Sequence, residues 1–259
     1  MELKEYFNYF FGKGDTPEFE NFTLPHFLPI IIMFVIIALI YLLRDRIRDA
    51  KCEKNIRLGL SMVMIICEMS YFWRLVGVPS LNPNPVDHLP ITICGWGLIF
   101  ASYVLTTKNQ TLFDICYFWL MAGTVFALMT PTVIRYTGPT RFRFYQFWLE
   151  HTLGYISIFY MIFVHKMKIN FKSFIKSYLV LFVLAFVAYI ANTTLGGEAN
   201  YLFMATTEEG SPLLDMLPKN YVLRMACMAG VVSVLFFVAY IPWIGKKVRK
   251  IELVEEYVS

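Results

Sequence analysis

Long runs of apolar residues, separated by short polar segments, dominate the chain. A helix needs about 20 apolar residues to cross a bilayer, because its backbone groups must find their hydrogen-bond partners within the helix. Seven runs meet this need, at about residues 25–43, 55–77, 89–106, 111–128, 144–164, 172–194 and 220–244. The pattern predicts an all-α, polytopic helical membrane protein with seven transmembrane helices in a single domain over residues 1–259.

Local features refine this pattern. The third and fourth spans are separated only by residues 107–110, which predicts a tight helical hairpin. The GWG sequence at 95–97 predicts a close contact between helices. Before the first span, the aromatic cluster at residues 6–11 suits a helix or turn at the membrane interface. Residues 1–24 have no apolar core or small-residue cleavage site, so they are not expected to be a removable signal peptide.

Composition supports the membrane prediction, and the charges orient the chain. Apolar residues make up 58% of the sequence and charged residues 16%, against roughly 25% charged in soluble domains. With the N-terminus outside, cytoplasmic segments carry fifteen Lys and Arg residues and external segments six, as the positive-inside rule requires. We therefore predict an external N-terminus, a cytoplasmic C-terminus and a multi-pass plasma-membrane protein. The net charge of +4 reflects this topology, and no nucleic-acid partner is expected.

Several kinds of site find no support in the sequence. The five cysteines are odd in number and none lies in a predicted outer loop, so no disulfide framework is expected. The four histidines lack HxxxH or HExxH spacing, and the chain has no phosphate-binding Gly-rich loop and no GxSxG elbow. We expect neither a metal nor another cofactor.

Polar residues gather near the predicted outer ends of the spans. An ionisable residue within a span indicates a functional site, because burying it in lipid is costly. Arg74 lies near the outer end of the second span, and Glu68 lies about 9 Å deeper at about 1.5 Å per residue. Cys94 and His151 enter the third and fifth spans to a similar depth of about 8–10 Å. Further polar residues near this level are Asp87, His88, Arg143, Glu150 and Asn192.

Cys94 and His151 suggest nucleophilic chemistry. A thiolate is a strong nucleophile, and a nearby imidazole can remove the thiol proton. Unpaired amides at the start of the third span, near Pro90, would favour an anion at Cys94. The residues expected to support or orient the imidazole are Glu150, Asp87, His88 and Glu68.

Arginines at the predicted outer rim suit a phosphate group, which guanidinium binds in a two-point fork. We assign Arg74 and Arg143 to a lipid headgroup, together with Asn192 at the end of the sixth span. Arg135 and Arg141 lie at the same rim.

The same residues also have structural explanations. Cys94 can be a small packing residue, and His151 can bridge two helices by hydrogen bonding. Glu68 and Arg74 can form an ion pair, and the outer arginines can extend to lipid phosphates without forming a site. Spacing leaves these alternatives open.

Four short motifs resemble one family. The segments HLPITIC (88–94), FWLEHT (147–152), EANYLF (198–203) and PLLD (212–215) resemble the YwaF-like bacterial integral membrane proteins, which are similar to the eukaryotic transmembrane protein 164 family. The resemblance implies an acyltransferase for ether phospholipids whose catalytic Cys and His match Cys94 and His151. The chain departs from the bacterial pattern at two positions. The pattern has a histidine where this chain has Thr92, and a glycine where this chain has Thr152.

The leading prediction is a membrane-embedded lipid acyltransferase or transacylase, with Cys94 as nucleophile, His151 as base and membrane phospholipids as partners. An outward site favours a phospholipid acyl donor, because acyl-CoA is cytosolic. The alternative is a non-enzymatic binder or transporter of a small solute or lipid, with an outward-facing polar pocket. A receptor-like sensor and a structural subunit of a larger complex are further alternatives.

Overall fold

The computed structural model describes residues 3–195, 199–204, 216–218 and 220–245. Within these ranges the regular elements are helices, and no strand occurs, so the all-α prediction is confirmed. The predicted motif at 212–215, Glu198 and the basic residues from 246 onward lie outside them, as does most of the predicted outer loop 195–219. The α-helices are α1 (Leu3–Phe11), α2 (Leu24–Asp49), α3 (Glu53–Gly77), α4 (Ile93–Thr107), α5 (Gln110–Met129), α6 (Phe142–Phe163), α7 (Phe171–Thr194) and α8 (Tyr221–Tyr240).

Five segments are long and apolar enough to cross a membrane: α2, α3, α5, α7 and the stretch Tyr221–Trp243 that contains α8. These segments indicate a multi-pass membrane protein. α4 is apolar but has only 15 residues. α6 has 22 residues, and its Arg143, Gln146, Glu150 and His151 lower its mean hydropathy. The predicted third and fifth spans therefore differ from the other five, and both carry residues of the candidate site.

Asparagine side chains begin three of the helices. The amide oxygens of Asn109, Asn170 and Asn220 each accept a hydrogen bond from the backbone N–H three residues later, at 3.0–3.1 Å. Such caps satisfy an amide that has no partner within its own helix. Immediately before Asn109, Lys108 ends α4 in a left-handed conformation with a φ of 58°. This cap-to-cap junction confirms the predicted tight hairpin between α4 and α5.

The interior of the fold is built around α4, α5 and α6. α4 packs against α3, α5 and α6, while α2 lies on α6 and α7 lies on α5. The large buried side chains include Phe113, Phe118 and Trp119 of α5 and Phe147 of α6. By contrast, α2, α7 and α8 expose many large apolar side chains, as expected of helices that face lipid.

A π-helical turn at Trp119–Gly123 interrupts α5 and brings three helices together. Leu120 of this turn lies between two glycines. A Cβ added to Gly97 of α4 would lie 3.0 Å from Leu120 Cδ2, and one added to Gly154 of α6 would lie 2.9 Å from the same atom. The Tyr155 hydroxyl of α6 donates to the Met121 carbonyl of the turn at 3.1 Å. The predicted close contact at 95–97 is thereby confirmed, and it depends on the absence of side chains at Gly97 and Gly154.

Replacing Gly154 by valine should destabilise the fold by about 1–3 kcal/mol, because the added atoms overlap Leu120 in a closely packed interior. Thermal unfolding of the detergent-solubilised protein, followed by tryptophan fluorescence, measures the effect. Gly230→Val is the matched control, since a Cβ at Gly230 would meet nothing within 4 Å. Equal melting temperatures for the two variants would contradict the packing role assigned to Gly154.

Candidate functional site

Cys94 lies in the first turn of α4. The Thr92 hydroxyl caps this turn by accepting a hydrogen bond from Gly95 N at 3.1 Å, and Trp96 N donates to the Thr92 carbonyl at 3.2 Å. The amides of Ile93 and Cys94 donate to no group in the described part of the chain. The Cys94 side chain is half-buried. The Cys94 thiol and two amides without partners among the described residues therefore share a helix start, where the helix dipole favours negative charge.

His151 lies inside α6 and is 4% exposed. Its Nδ1 lies 2.7 Å from the carbonyl oxygen of Phe147, one turn earlier. Because a carbonyl can only accept, Nδ1 carries the proton and Nε2 presents a lone pair. Nε2 has no hydrogen-bond partner among the residues that the structure describes. At Nδ1 a backbone carbonyl thus takes the place expected for a carboxylate of Glu150, Asp87 or Glu68, because the ring folds back along its own helix.

The two predicted catalytic residues share a neighbourhood. α4 and α6 pack directly against each other. Glu150 is an electrostatic neighbour of both the Cys94 thiol and the His151 ring. Tyr155, one turn after His151, is an electrostatic neighbour of Cys94 as well. Cys94 and His151 thus have Glu150 as a common neighbour, and no hydrogen bond joins their side chains in the part of the chain that the structure describes.

Glu150 is held by residues of its own helix. Its carboxylate lies 3.6 Å from Arg143 Nη1 and accepts a hydrogen bond from Gln146 Nε2 at 3.1 Å. Gln146 also donates to the Cys67 carbonyl of α3 at 3.2 Å and accepts from Arg143. Arg143 and Glu150 therefore lie on one face of α6. Sequence reasoning missed Gln146, although its position four residues before Glu150 puts it on the same helix face.

His88 reaches this network through Tyr71. The Tyr71 hydroxyl lies 2.9 Å from His88 Nδ1, and the Arg143 guanidinium lies 4.6 Å from the centre of the Tyr71 ring, within cation–π range. Tyr71 was not singled out from the sequence, although it lies three residues after Glu68 on α3. Asp87 lies in the 3-10 turn Pro85–His88, and its side chain is outside the described residues.

Glu68 faces the first turn of α4. Its Oε1 lies 2.5 Å from the position that a Cβ of Gly95 would occupy, so the carboxyl fits only because residue 95 is glycine. Glu68 is 8% exposed, and it has no hydrogen-bond or ion-pair partner in the ranges that the structure describes. Glu150 is its electrostatic neighbour. Two carboxyl groups of different surroundings thus lie near Cys94.

A family model described as the TMEM164 family matches residues 21–240. The chain belongs to the TMEM164 family. The match includes Cys94, His151 and every contact of the network around Glu150. No curated protein and no solved structure matches the chain. The resemblance to the transmembrane protein 164 family is confirmed, whereas membership of the YwaF-like bacterial branch stays a prediction.

In this TMEM164-family protein, Arg74 binds the end of α1. Its Nε donates to the Phe11 carbonyl at 2.6 Å and its Nη2 to the Gly12 carbonyl at 2.9 Å. The last carbonyls of a helix lack hydrogen-bond donors within the helix, and Arg74 provides these donors. The alternative of an ion pair between Glu68 and Arg74 is therefore wrong. Two of the nitrogens expected to hold a headgroup phosphate are occupied by backbone.

Asn192 anchors the segment that follows α7. Its Nδ2 donates to the Tyr201 carbonyl at 3.0 Å, and its Oδ1 accepts from Tyr201 N at 2.7 Å. The Tyr201 hydroxyl in turn accepts from Leu89 N at 2.9 Å and donates to the Val86 carbonyl. Residues 199–204 thereby fold back onto the turn before α4. Both ends of the Asn192 amide serve this anchor, in place of the predicted headgroup contact.

Arg141 joins the N-terminal segment to the turn before α6. Its Nε lies 2.8 and 2.7 Å from the two Glu18 carboxylate oxygens, and its Nη1 donates to the Tyr9 carbonyl at 2.7 Å. Gly138 N donates to the same carboxylate at 3.2 Å. The hydrogen bonds from Arg141 hold the pKa of Glu18 below its usual value, and the same bonds raise the pKa of Arg141. This rim arginine therefore binds protein.

Acid should release the N-terminal segment of this TMEM164-family protein. Because the folded state lowers the pKa of Glu18, the ion pair stabilises the fold fully above the unfolded value of 4.5 and loses this contribution as pH falls below it. We expect about 1–2 kcal/mol for this partly exposed pair. Hydrogen exchange of residues 9–18 at pH 6 and pH 3.5 measures the release. In Glu18→Gln the segment should exchange rapidly at both pH values, and a wild-type pH response in that variant would contradict the assignment.

A second polar cluster, which sequence reasoning missed, lies at the opposite end of the bundle. Glu53 Oε1 accepts hydrogen bonds from Arg57 Nε at 3.0 Å, Tyr160 OH at 3.1 Å and His165 Nε2 at 2.7 Å. Arg57 also donates to the carbonyls of Leu105 and Thr106 at the end of α4. Burial lowers the pKa of His165 although Glu53 opposes the shift. These contacts tie α3, α4 and α6 together, opposite the end that carries Cys94.

Metal chemistry finds no ligand set in the described ranges, where no group of three or more His, Cys, Asp or Glu side chains converges on one point. The cysteines Cys52, Cys67, Cys94, Cys116 and Cys227 are all free.

Proposed function

We propose that this protein is a membrane-embedded lipid acyltransferase or transacylase, in which Cys94 is the nucleophile and His151 the general base. The observation that carries the proposal is the hydrogen bond between His151 Nδ1 and the Phe147 carbonyl at 2.7 Å. It leaves a lone pair on Nε2, in a helix that packs against α4, the helix of Cys94. A base whose tautomer is fixed by its other nitrogen is the arrangement that nucleophilic catalysis requires.

In the first half-reaction, the Cys94 sulfur attacks the ester carbonyl of a phospholipid, and His151 Nε2 takes the thiol proton. The amides of Ile93 and Cys94 would stabilise the oxyanion that forms. The ester C–O bond then breaks, and the departing lipid oxygen takes the proton from His151. The negative charges of nearby Glu68 and Glu150 oppose a standing charge on sulfur, so proton transfer accompanies the attack. The acyl group is left on Cys94 as a thioester.

In the second half-reaction, a hydroxyl group of the acceptor attacks the thioester, and Cys94 leaves. The acyl group has then moved between two alcohols, with no oxidation and no cofactor.

We propose seven spans in one domain, with α4 and α6 completing the set, an external N-terminus and a plasma-membrane location. The excess of Lys and Arg in the predicted cytoplasmic segments supports this orientation. An external site favours a phospholipid donor over acyl-CoA.

The headgroup phosphate of the donor would bind at Arg143 and at the remaining Nη1 of Arg74. The two arginines are electrostatic neighbours, and the Tyr71 ring lies against Arg143. The Arg143 side chain, which also contacts Glu150 and Gln146, is 14% exposed, and a bound phosphate would share its guanidinium with them. Asn192 and Arg141, which bind backbone and Glu18, are not part of this proposed phosphate site.

The test is direct detection of the thioester. The purified protein, reconstituted in vesicles that contain a diacyl phospholipid with an isotope-labelled acyl chain, should acquire a labelled acyl group on Cys94. Mass spectrometry of the digested protein locates the adduct, and neutral hydroxylamine should remove it. Cys227 of α8, a half-buried thiol outside the site, should stay unmodified. Absence of the adduct, together with absence of acyl exchange between lipids, would refute the proposal.

A non-enzymatic binder or transporter is the competing function. The charges of Arg143 and Glu150, 3.6 Å apart inside a mostly apolar bundle, favour it because they suit a zwitterionic solute or lipid headgroup. This function requires binding or transport that persists unchanged in Cys94→Ala, with no acyl group on the wild-type protein.

A further inference from the structure

We infer that Glu68 is a further catalytic residue, the base that activates the hydroxyl group of the acyl acceptor. The inference rests on the proposed function and assigns the second half-reaction. The acceptor in this step is an alcohol, and a lysolipid with a free hydroxyl is the probe used for it below. His151 serves the attack by Cys94, and Glu68 serves the attack on the thioester.

The carboxyl of Glu68, a residue of α3, lies against the first turn of α4. Its Oε1 lies 2.5 Å from the Cβ position of Gly95, and the Thr92 hydroxyl lies 2.7 Å from that same position. Gly95 directly follows Cys94 in the sequence. Any side chain at residue 95 would displace the carboxyl, so the glycine provides the space in which Glu68 approaches the turn that bears the thiol.

The carboxyl of Glu68 has its hydrogen-bonding capacity unused. It is 8% exposed, and the described residues supply it with no hydrogen bond. Glu68 can therefore accept a hydrogen bond from a ligand hydroxyl without giving up a hydrogen bond to a described residue. The two amides of Ile93 and Cys94, also without partners, face the same helix start.

Glu150 is the obvious rival, and its contacts exclude it from this role. It is held by Gln146 Nε2 at 3.1 Å and by Arg143 at 3.6 Å, so its charge is already paired. Glu68 has no such partner in the part of the chain described. Arg143 is an electrostatic neighbour of Glu68 as well, but only Glu150 accepts a hydrogen bond from a described residue, which leaves the Glu68 carboxyl available to a substrate.

The second half-reaction then balances within the site. The acceptor O–H gives its proton to Glu68 as the oxygen forms a bond to the thioester carbonyl carbon. The C–S bond breaks, and the departing Cys94 sulfur takes the proton from the Glu68 carboxylic acid. The acceptor gains the acyl group, and both side chains return to their starting states.

The experiment separates the two half-reactions in Glu68→Gln, which keeps the size of the side chain but cannot take up a proton. Rapid-quench measurements use vesicles with a labelled diacyl phospholipid and a lysolipid acceptor. Acyl-Cys94 should form within about threefold of the wild-type rate. Transfer to the lysolipid should fall about 100-fold, the lower bound for loss of a general base, so acyl-Cys94 accumulates. Neutral hydroxylamine, a nucleophile that needs no base, should still discharge it at the wild-type rate.

A second variant covers the case in which Glu68→Gln fails to fold. Gly95→Ala places a Cβ 2.5 Å from Glu68 Oε1 and should also make acyl-Cys94 accumulate. Gly59→Ala on α3, where a Cβ would meet nothing within 4 Å, should behave as wild type. If Glu68→Gln transfers the acyl group to lysolipid at the normal rate, or loses both half-reactions equally, the role of Glu68 is overturned but the proposed function is not. A wild-type protein that never forms acyl-Cys94 overturns the proposed function as well.

Discussion

Replacing Cys94 by alanine should lower acyl transfer between lipids by at least about 1,000-fold, because loss of a covalent nucleophile removes the low-barrier route through a thioester. The labelled acyl adduct should disappear completely. Cys94→Ser should lose nearly as much, since a hydroxyl is far less acidic than a thiol and is the weaker nucleophile at the same position. Lipid mass spectrometry of reconstituted vesicles measures transfer, and thermal unfolding confirms that the variants are folded.

Cys227→Ala on α8 is the matched control for this loss. It removes a thiol of the same half-buried class from α8, a helix that carries none of the proposed catalytic residues. Its transfer rate should stay within about twofold of wild type, as surface substitutions away from special features usually do. Persistent transfer in Cys94→Ala would mean that another group carries the acyl chain, or that none does.

Replacing His151 by asparagine should lower the rate of acyl-Cys94 formation by about 100- to 10,000-fold, the usual contribution of a general base. Asparagine can keep the hydrogen bond that Nδ1 now makes to the Phe147 carbonyl. What it removes is the lone pair at Nε2. Single-turnover acylation, followed from milliseconds to hours, measures this step without interference from acceptor chemistry.

His165→Asn serves as the comparison, because His165 lies in the separate cluster around Glu53 at the other end of the bundle. It should acylate Cys94 at the wild-type rate even if its melting temperature falls. If His151→Asn acylates normally, the role of His151 is structural. A variant that restores the rate on addition of imidazole would add positive support.

The apolar pattern predicts the helices well because length and hydrophobicity are local properties. The hairpin between α4 and α5 follows from four residues, and the structure fills it with a left-handed Lys108 and a capping Asn109. The start of α4 is less predictable. The apolar run begins at residue 89, but Pro90 and the capping Thr92 delay the helix until Ile93, since the residue before a proline avoids helical conformation.

The candidate site is only partly readable from sequence. The alignment of Arg143 with Glu150 follows from helical spacing. The roles of Arg74 and Asn192 do not, because their partners are backbone carbonyls and amides of segments distant in sequence. Arg141 shows the same limit, since Glu18 lies 123 residues away. Whether an arginine binds a lipid or a helix end depends on tertiary packing.

α4 and α6, the two helices that carry the site, are also the two that depart most from the apolar pattern of a span. α6 is long but carries the charged and amide residues of the network, and α4 is apolar but short. Departures from a local rule concentrate where function imposes its own requirements. Their neighbours α3 and α5 cover both helices, which lets the polar groups avoid lipid.

The shortness of α4 has a kinetic consequence. Its 15 residues rise about 22 Å, about 8 Å less than the hydrocarbon core of a bilayer. With the α4–α5 hairpin at the cytoplasmic boundary, as the proposed orientation requires, the thiol lies about 8 Å inside the opposite boundary of the hydrocarbon core. Donor and acceptor then arrive by lateral diffusion, without leaving the leaflet. Reaction velocity should accordingly follow the mole fraction of each lipid in the membrane, and diluting the vesicles in buffer should leave it unchanged.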